Sequence, residues 1–541
     1  MPHSRKTNVL MIYPRFSAAS FWNYGATCEL VGARYPAAPL GLITVAAMLP
    51  KDWDIRLINR NTEELDESEI LWADLVMTGG MLMQQLDTLE LIEMCRRLGK
   101  PVAIGGPDAT SSPHIYESAD FRVLGEAEGI LDQFIAAWEG GAREGLFEAE
   151  KFTADVTKTP VPRFDLLKFD QYLHVGVQFS RGCPFTCEFC DIIELYGRVP
   201  RTKTTAQMLA ELDALYELGY RGHLDFVDDN LIGNKKAIKA FLPHLRDWLD
   251  AHDHPFELST EASLNISDDT ELMSMMREAN FFLIFVGIES PDPDMLNAMR
   301  KKQNTRRSIA ESVHRIYAHG MFVTAGFIVG FDNEKEGMAQ AMVDLIEEAA
   351  IPVSVVGLLY ALPNTQLTRR LTKEGRLYPD HDRMTPGQGD QTSCGLNFET
   401  TRPHNAVLRD FKYILERVYT PEAFCGRVKR MVAMLDRKDR KYKVRDGDVR
   451  KRMEGFSAVH EILSRLPEHR GVMWDALRSC LQTNPDASRD AAMLMAFYLH
   501  LGPYSQQLIE TVSRQIDALE TQQLTSSQWR PHAQPAAAAL A

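Results

Sequence analysis

The chain has 541 residues, 45% of them hydrophobic and 25% charged, with a formal charge of −14. Such a length accommodates about three or four domains with cores of their own, while the acid excess argues against a nucleic-acid partner, which needs a basic face to displace counterions from phosphate. No apolar run approaches the roughly 20 residues of a membrane span, and the N-terminus, Met-Pro-His-Ser-Arg-Lys-Thr, leads into a strand-like run rather than a secretory segment, so the expectation is a cytoplasmic protein with no transmembrane segment and at most peripheral membrane contact.

Asn8-Val-Leu-Met-Ile-Tyr-Pro14 is a short apolar run closed by proline, the pattern of a buried strand. Similar runs recur at 54–59, 75–78, 102–104 and 121–124, with helical patterns between them, such as 40–49 and Leu82, Leu86, Leu89, Ile92. Strands alternating with helices predict a doubly wound, Rossmann-like α/β domain over residues 1–150. Such parallel sheets bind ligands beyond the carboxyl ends of their strands. Those ends carry Thr78-Gly79-Gly80, Gly105-Gly106-Pro107-Asp108 and Gly125-Glu126-Ala127-Glu128. Glycine permits the close backbone approach that a large flat cofactor requires; tight turns in a flavodoxin-like response domain would use the same residues. His114, after Gly-Gly-Pro, reads as a surface histidine.

Residues 16–39, with Phe21-Trp22-Asn23-Tyr24, Cys28 and Tyr35-Pro-Ala-Ala-Pro39, form a long aromatic loop, suited to capping a ligand or to packing between domains. Cys28 reads as a packing cysteine. Mixed charge and Pro160-Val-Pro162 mark a linker, drawn at 151–168.

Three of the eight cysteines, Cys183, Cys187 and Cys190, fall within eight residues in Phe179-Ser-Arg-Gly-Cys-Pro-Phe-Thr-Cys-Glu-Phe-Cys190. A structural zinc site needs four closed ligands, and no second Cys/His pair follows at the usual distance. A cubane iron-sulfur cluster takes four thiolates, so three leave one iron open. An electron-transfer cluster or an unusual zinc site are the other readings of this spacing. Clustered free thiols suit a reducing compartment.

From His174 the chain alternates strand and helix six times, with strands near 174–180, 223–229, 256–262, 282–290, 322–331 and 352–362, which predicts a partial (β/α)6 barrel over 169–370. Barrel active sites lie at the carboxyl ends of the strands. The predicted rim carries the cysteine loop, Asp228-Asp229-Asn230, Thr260-Glu261, Gly287-Ile-Glu289-Ser290, Gly326-Phe-Ile-Val-Gly330 with Glu334 beyond, and Leu362-Pro-Asn-Thr365. Beyond Arg370 helical periodicity dominates, predicting a mainly helical C-terminal domain over 371–522 and a disordered tail over 523–541. The basic run from Arg427 to Arg452 reads as a solvated helical face rather than a phosphate site, and Cys394, Cys425 and Cys480 are too scattered to form a site.

Cys-x3-Cys-x2-Cys with Phe189 before the third cysteine resembles the cluster loop of the radical S-adenosylmethionine (SAM) superfamily, in which Cys183, Cys187 and Cys190 would ligate a 4Fe-4S cluster and SAM would chelate the open iron. The resemblance puts Asp228, Asp229 and Asn230 at the contact with the methionine amino group. It puts Glu261 and Glu289 at polar contacts to the ribose or methionyl part, and Gly326 and Gly330 against adenine. Many relatives have arginine or another residue where this chain has Glu261. The first domain is similar to the cobalamin-binding domain that precedes many such enzymes, which implies corrin contacts at Thr78, Gly79, Gly105, Gly106, Gly125 and Glu126. The usual Gly-Glu-Gly-Glu is Gly125-Glu-Ala-Glu128 here, and Asp-x-His-x-x-Gly is missing, as in that family, so the domain lacks that motif's histidine below the cobalt. Cys190-Asp-Ile-Ile-Glu-Leu-Tyr-Gly-Arg198, Phe226-Val-Asp-Asp-Asn230 and Tyr360-Ala-Leu-Pro-Asn364 resemble the subgroup that contains the hopanoid C-2 methylase.

The likeness covers roughly residues 8–370 and implies a cobalamin-dependent radical SAM methyltransferase. It would methylate an unactivated carbon of an apolar small molecule or lipid, hopanoid-like in the narrowest reading, using an external one-electron reductant such as flavodoxin or ferredoxin. A cobalamin-dependent cyclisation or rearrangement without net methyl transfer, and a non-catalytic cobalamin-binding or redox module, are the rival classes.

Overall fold

The computed structural model describes residues 6–17, 19–384, 390, 393, 395–438, 440–445, 448, 451 and 456–521; Cys394, Gly387-Gln-Gly389 and the 523–541 tail lie outside them. The strands in chain order are β1 (Asn8–Tyr13), β2 (Tyr35–Ala37), β3 (Asp54–Asn59), β4 (Leu75–Gly79), β5 (Val102–Gly105), β6 (Phe121–Leu124), β7 (Gly145–Glu148), β8 (Tyr172–Val177), β9 (Ser180–Arg181), β10 (Arg201–Thr202), β11 (Gly222–Phe226), β12 (Phe256–Glu261), β13 (Phe281–Glu289), β14 (Phe322–Val329) and β15 (Ser354–Leu358).

The first sheet has the order β3-β1-β4-β5-β6-β7, every pair parallel. Side chains alternate across a strand. Leu10 and Ile12 of β1 therefore join a core with Ile70, Leu91 and Ile104 on one face, while Val9 and Met11 join Trp53, Phe121 and Phe134 on the other. Burial on both faces explains why β1 reads as an unbroken apolar run. The strand order reverses between β1 and β4, the switch point where such sheets take ligands. β7 adds a sixth strand from the mixed-charge stretch before Pro160.

The second sheet curls in the order β15-β14-β13-β12-β11-β8-β2, again all parallel. Six of its strands are the expected βα series. The seventh, β2, comes from the aromatic stretch 16–39, which is therefore not a loop. That stretch holds a helix, Gly25–Val31, and an edge strand pairing Tyr35 with Tyr172 and Ala37 with His174. Pro36 lacks an N–H donor, which an edge strand tolerates. Phe21 is buried 4.9 Å from the Tyr504 ring and Thr27 donates to the Ala496 carbonyl at 2.8 Å, so the stretch binds the barrel's open side to the C-terminal helix Ser488–Thr521.

The remaining C-terminal helices are His404–Val418, Pro421–Met434, Phe456–Arg465 and Arg470–Thr483. The basic run from Arg427 is a solvated face only in part: Lys429, Arg430, Lys438 and Lys441 are exposed, while other cations of the run are buried. Arg427 is fully buried, bonded to Glu347 and to the carbonyls of Ile351 and Val418. Arg437 pairs with buried Asp490, and Arg440 and Arg489 converge on Glu257 in β12. These cations fasten the helices to the base of the barrel. Charge periodicity alone did not distinguish pairing partners 50 to 230 residues away from solvent. Among the described residues, no helix is long and apolar enough to cross a membrane.

Candidate cofactor and active site

The cysteine loop leaves β8 and is bracketed by the β9–β10 hairpin, with Ser180 paired to Thr202 and Arg181 to Arg201. The three clustered thiols are half-buried. Burial raises the pKa of Cys183 and Cys190, and each thiolate would be further opposed by the others nearby. Such a trio needs a compensating positive centre once ionised. No group of three or more His, Cys, Asp or Glu among the described residues converges on a single ion. A cubane takes one thiolate per iron, which three thiols spaced along one loop can supply.

The triad Asp228-Asp229-Asn230 faces this loop, not open space. Asp228 accepts from the Phe179 N–H at 2.9 Å and from the Ser180 N–H and hydroxyl at 2.5 Å. Burial nonetheless pushes its pKa up to about 7. Asp229 accepts from the Gly182 N–H at 2.8 Å, with burial holding its pKa at about 6. Asn230 points its amide nitrogen at Cys183 Sγ, 3.8 Å away, and accepts from the Ser263 N–H at 3.1 Å. Three consecutive side chains thus grip residues 179–183.

Phe189 lies edge-on to Phe331, ring centroids 5.8 Å apart, and Lys301 Nζ stands 5.8 Å from its ring centroid. Lys301 forms a buried ion pair with Glu289, close to Cys187 and Cys190. Burial opposes its charge, and Glu289 with the thiolates outweighs burial and raises its pKa. A side chain on Gly287 would collide with that pair, its Cβ falling 2.6 Å from Lys301 Nζ. Gln303 aims its amide nitrogen at Cys187 Sγ, 3.8 Å away, and Asn304 donates to the Gly287 carbonyl at 2.9 Å. Their oxygens, Gln303 Oε1 and Asn304 Oδ1, are buried with no hydrogen-bond partner. Orphaned acceptors of this kind call for a donor, and the ammonium of SAM is one.

Glu261 ends β12 inside the lumen, accessible yet enclosed by protein, and that confinement with the carboxylates of Asp225, Asp229 and Asp228 pushes its pKa up to about 8. Below it Ser259 donates to Asp225, and His223 Nε2 lies 2.6 Å from Ser259 Oγ. Across the lumen Trp22 meets Phe285 with ring centroids 5.3 Å apart. Gly326 leaves room there, with the Phe285 ring 3.2 Å from where a Cβ would be. Gly330 turns away at φ +112°, and its N–H donates to Glu334 Oε1 at 2.6 Å, so it shapes the rim instead.

In the first sheet Thr78 donates to the Ile12 carbonyl at 2.9 Å. The turns after β4 and β5 touch backbone to backbone. A Cβ on Gly79 would fall 2.6 Å from the Gly105 carbonyl oxygen, and one on Gly106, at φ +90°, 3.1 Å from the Gly80 nitrogen. The result is a glycine-backbone floor over the ends of β4 and β5, beside the switch point, with the Gln84 side chain packed against Gly80. Gly125 begins the turn after β6, and the two glutamates that follow point elsewhere. Glu126 pairs with Arg201 at 2.8 Å and Arg181 at 3.3 Å, and Glu128 pairs with Arg181 at 2.7 Å. Between the two rims lies an apolar cluster of Leu82, Met83, Tyr360 and Met384, flanked by Phe16 and Leu362.

Sequence reasoning missed Lys301, Gln303, Asn304 and Arg181. Lys301 lies twelve residues after Glu289, and the excess of cations at 300–307 was the only local signal.

The family model described as the radical SAM superfamily matches residues 177–346, and one described as a domain of unknown function (DUF4070) matches 365–514. An uncharacterised methyltransferase of Synechocystis is 46% identical over 77% of this chain and 77% of its own. The hopanoid C-2 methylase of Rhodopseudomonas palustris is 37% identical over 79% of each. The structure of the cobalamin-dependent S-adenosylmethionine radical enzyme OxsB with aqua-cobalamin bound, 15% identical, superposes with a TM-score of 0.59 over 98% of this chain and 83% of that one, a likeness of fold.

Proposed function

The chain belongs to the cobalamin-binding radical SAM enzymes, in the group that contains the hopanoid C-2 methylase, and from that premise we propose that it methylates an unactivated carbon of an apolar small molecule or lipid. The observation that carries this reading is the facing of two rims, a cysteine loop with orphaned acceptors on one and a glycine-backbone floor on the other, across an apolar cluster.

Cys183, Cys187 and Cys190 would hold the 4Fe-4S cluster. Gln303, Asn304 and the Lys301–Glu289 pair suit the zwitterionic end of SAM, with complementary charge and free acceptors. Glu261 suits its ribose, and the Gly326 backbone beside the Phe285 ring suits its adenine. Thr78, Gly79, Gly80, Gly105 and Gly106 would floor the corrin. When bound, these groups supply the radical that removes a hydrogen atom and the methyl group that replaces it, and the protein's own share is positioning and exclusion of water. Asp228, Asp229 and Asn230 hold the cluster loop in register, and Glu126 and Glu128 join it to the first sheet. Leu82, Met83, Tyr360 and Met384 offer the substrate an apolar wall, which supports a lipid-like ligand such as a hopanoid. The work suits the cytoplasm, where an external reductant such as flavodoxin or ferredoxin is at hand.

Anaerobically reconstituted protein, incubated with SAM and a reductant, should form both 5′-deoxyadenosine and S-adenosylhomocysteine and take up one corrin. Alanine at Cys183, Cys187 or Cys190 should abolish cluster assembly. Deoxyadenosine without S-adenosylhomocysteine would favour rearrangement chemistry and remove the methylation reading; iron without corrin uptake would remove it too.

A further inference from the structure

In a chain of net charge −14, residues 300–307 read Arg-Lys-Lys-Gln-Asn-Thr-Arg-Arg, five cations and no acid. Two of the five are spoken for, Lys301 by Glu289 and Arg307 by Asp268 and Glu311. Arg300, Lys302 and Arg306 are exposed and, among the described residues, have no carboxylate partner. The acids that could neutralise this face are themselves taken. Asp292 and Asp294 pair with Lys335, Glu188 with Arg370, and Glu194 with Arg369.

This segment is stitched to the cysteine loop. The Glu188 N–H donates to the Met299 carbonyl at 3.1 Å, Gln303 reaches to 3.8 Å from Cys187 Sγ, and Arg300 donates to Gln366 Oε1 at 2.6 Å. Gln366 opens the helix whose Leu367 N–H donates to the Glu188 carbonyl at 2.9 Å. The exposed cations therefore stand a few residues from a cluster ligand. The other described cysteines, Cys28, Cys95, Cys425 and Cys480, are buried and provide no second cluster to relay an electron from farther away.

We propose that Arg300, Lys302 and Arg306 form the docking surface for an acidic, low-potential one-electron carrier protein, which passes its electron to the cluster through the Met299–Gln303 segment. The inference rests on the cluster assignment made above. In the step, the carrier is oxidised by one electron and the cluster is reduced by one; no bond forms or breaks and no proton moves. Complementary charge steers such encounters and sets their salt dependence, and a basic patch beside the cysteine loop gives the carrier a place to land near the cluster.

The probe is a bacterial flavodoxin. Its binding to the full chain, as purified, is measured by calorimetry at low and high ionic strength, a readout that does not depend on turnover. The triple variant R300E/K302E/R306E should bind about tenfold or more weakly at low salt and lose most of the salt dependence. A triple reversal elsewhere, at Lys51, Lys429 and Arg514, should change little. With reconstituted protein, reduction of the cluster by flavodoxin hydroquinone should slow in the first variant, while reduction by titanium(III) citrate stays at the wild-type rate. Unchanged flavodoxin binding in R300E/K302E/R306E overturns the proposal. So does loss of binding to phosphatidylglycerol vesicles with flavodoxin binding intact, which would assign the patch to a membrane surface. Wild-type protein that titanium(III) citrate cannot reduce would instead defeat the cluster assignment, a failure the calorimetry separates from that of the docking surface.

Discussion

Replacing Glu128 by glutamine should loosen the junction between the first sheet and the cysteine loop by about 3 kcal/mol at neutral pH. Glu128 is buried, and although burial alone would raise its pKa, its bonds to Arg181 and to the Thr159 hydroxyl hold the value at about 2 against an ordinary 4.5. At about 1.4 kcal/mol per pH unit that difference gives about 3 kcal/mol. The partner is consistent, since the Arg181 guanidinium is held above its ordinary value despite its own burial. Arg181 keeps Glu126 at 3.3 Å and Gln178 at 2.7 Å in the variant, so it is not left bare and the loss stays below that of an isolated buried charge. Because the folded carboxyl has the lower pKa, its contribution is complete above pH 4.5 and is lost as the pH falls towards 2. Hydrogen exchange at neutral pH should therefore show amides of β9 and β10 opening about a hundredfold more often in the variant. Urea unfolding at about pH 3.5 should show the difference between the two proteins reduced by about half. A change in exchange of less than about threefold at neutral pH would refute the reasoning, because a pair worth so little could not hold the junction.

Gly106→Ala, at φ +90° and with its Cβ 3.1 Å from the Gly80 nitrogen, should cost about 1 to 3 kcal/mol and weaken corrin uptake, read from bound-cobalamin absorbance. Glu261→Gln should gain stability over the wild type as the pH rises from about 4.5 to about 8, because the native carboxyl must ionise in the lumen across that range; melting temperatures of the cofactor-free proteins across pH 5–8 give the slope. Arg427→Met removes the buried guanidinium from Glu347 and from the Ile351 and Val418 carbonyls, of which Glu347 keeps Arg430 and Ile351 keeps the Ser354 hydroxyl, and should cost about 1 to 3 kcal/mol, seen in urea unfolding followed by helical circular dichroism.

Both sheets were legible because parallel strands buried on two faces read as short apolar runs, and the six barrel runs stand within a few residues of β8 and β11 to β15. The edge strand β7, half-exposed in a mixed-charge stretch, was not legible, and neither was β2. Three residues containing a proline have no periodicity, and their strand character exists only through pairing with β8, some 135 residues on. The cysteine loop was legible because its chemistry is contiguous. Lys301 and Gln303 were not, since a basic stretch looks solvated until the fold brings Glu289 and Cys187 against it. The run after Arg427 misled for the same reason. A cation's partner is a tertiary fact, and composition carries only its likelihood of being exposed.

The carboxylates that motif reading sends to the cofactors are largely spent on the protein itself. Both oxygens of Asp228 are committed to residues 179 and 180, one oxygen of Asp229 to Gly182, and Glu126 to Arg181 and Arg201, beside Glu128, which no motif sends to a cofactor and which pairs with Arg181. Arg181 sits between Ser180 and Gly182, so the two sets of acids hold adjacent residues of one segment from opposite sides. The segment that carries Cys183 is therefore fixed at once to β11 and to the turn after β6, whose neighbouring strand ends make the glycine floor. Displacing either anchor would shift the cysteine loop relative to that floor. Were two separate cofactors held here, their reactive groups would have to meet one substrate atom to within about an ångström, and a clamp of buried ion pairs on one side and carboxylate–amide hydrogen bonds on the other would supply that alignment where a flexible linker between the sheets would not.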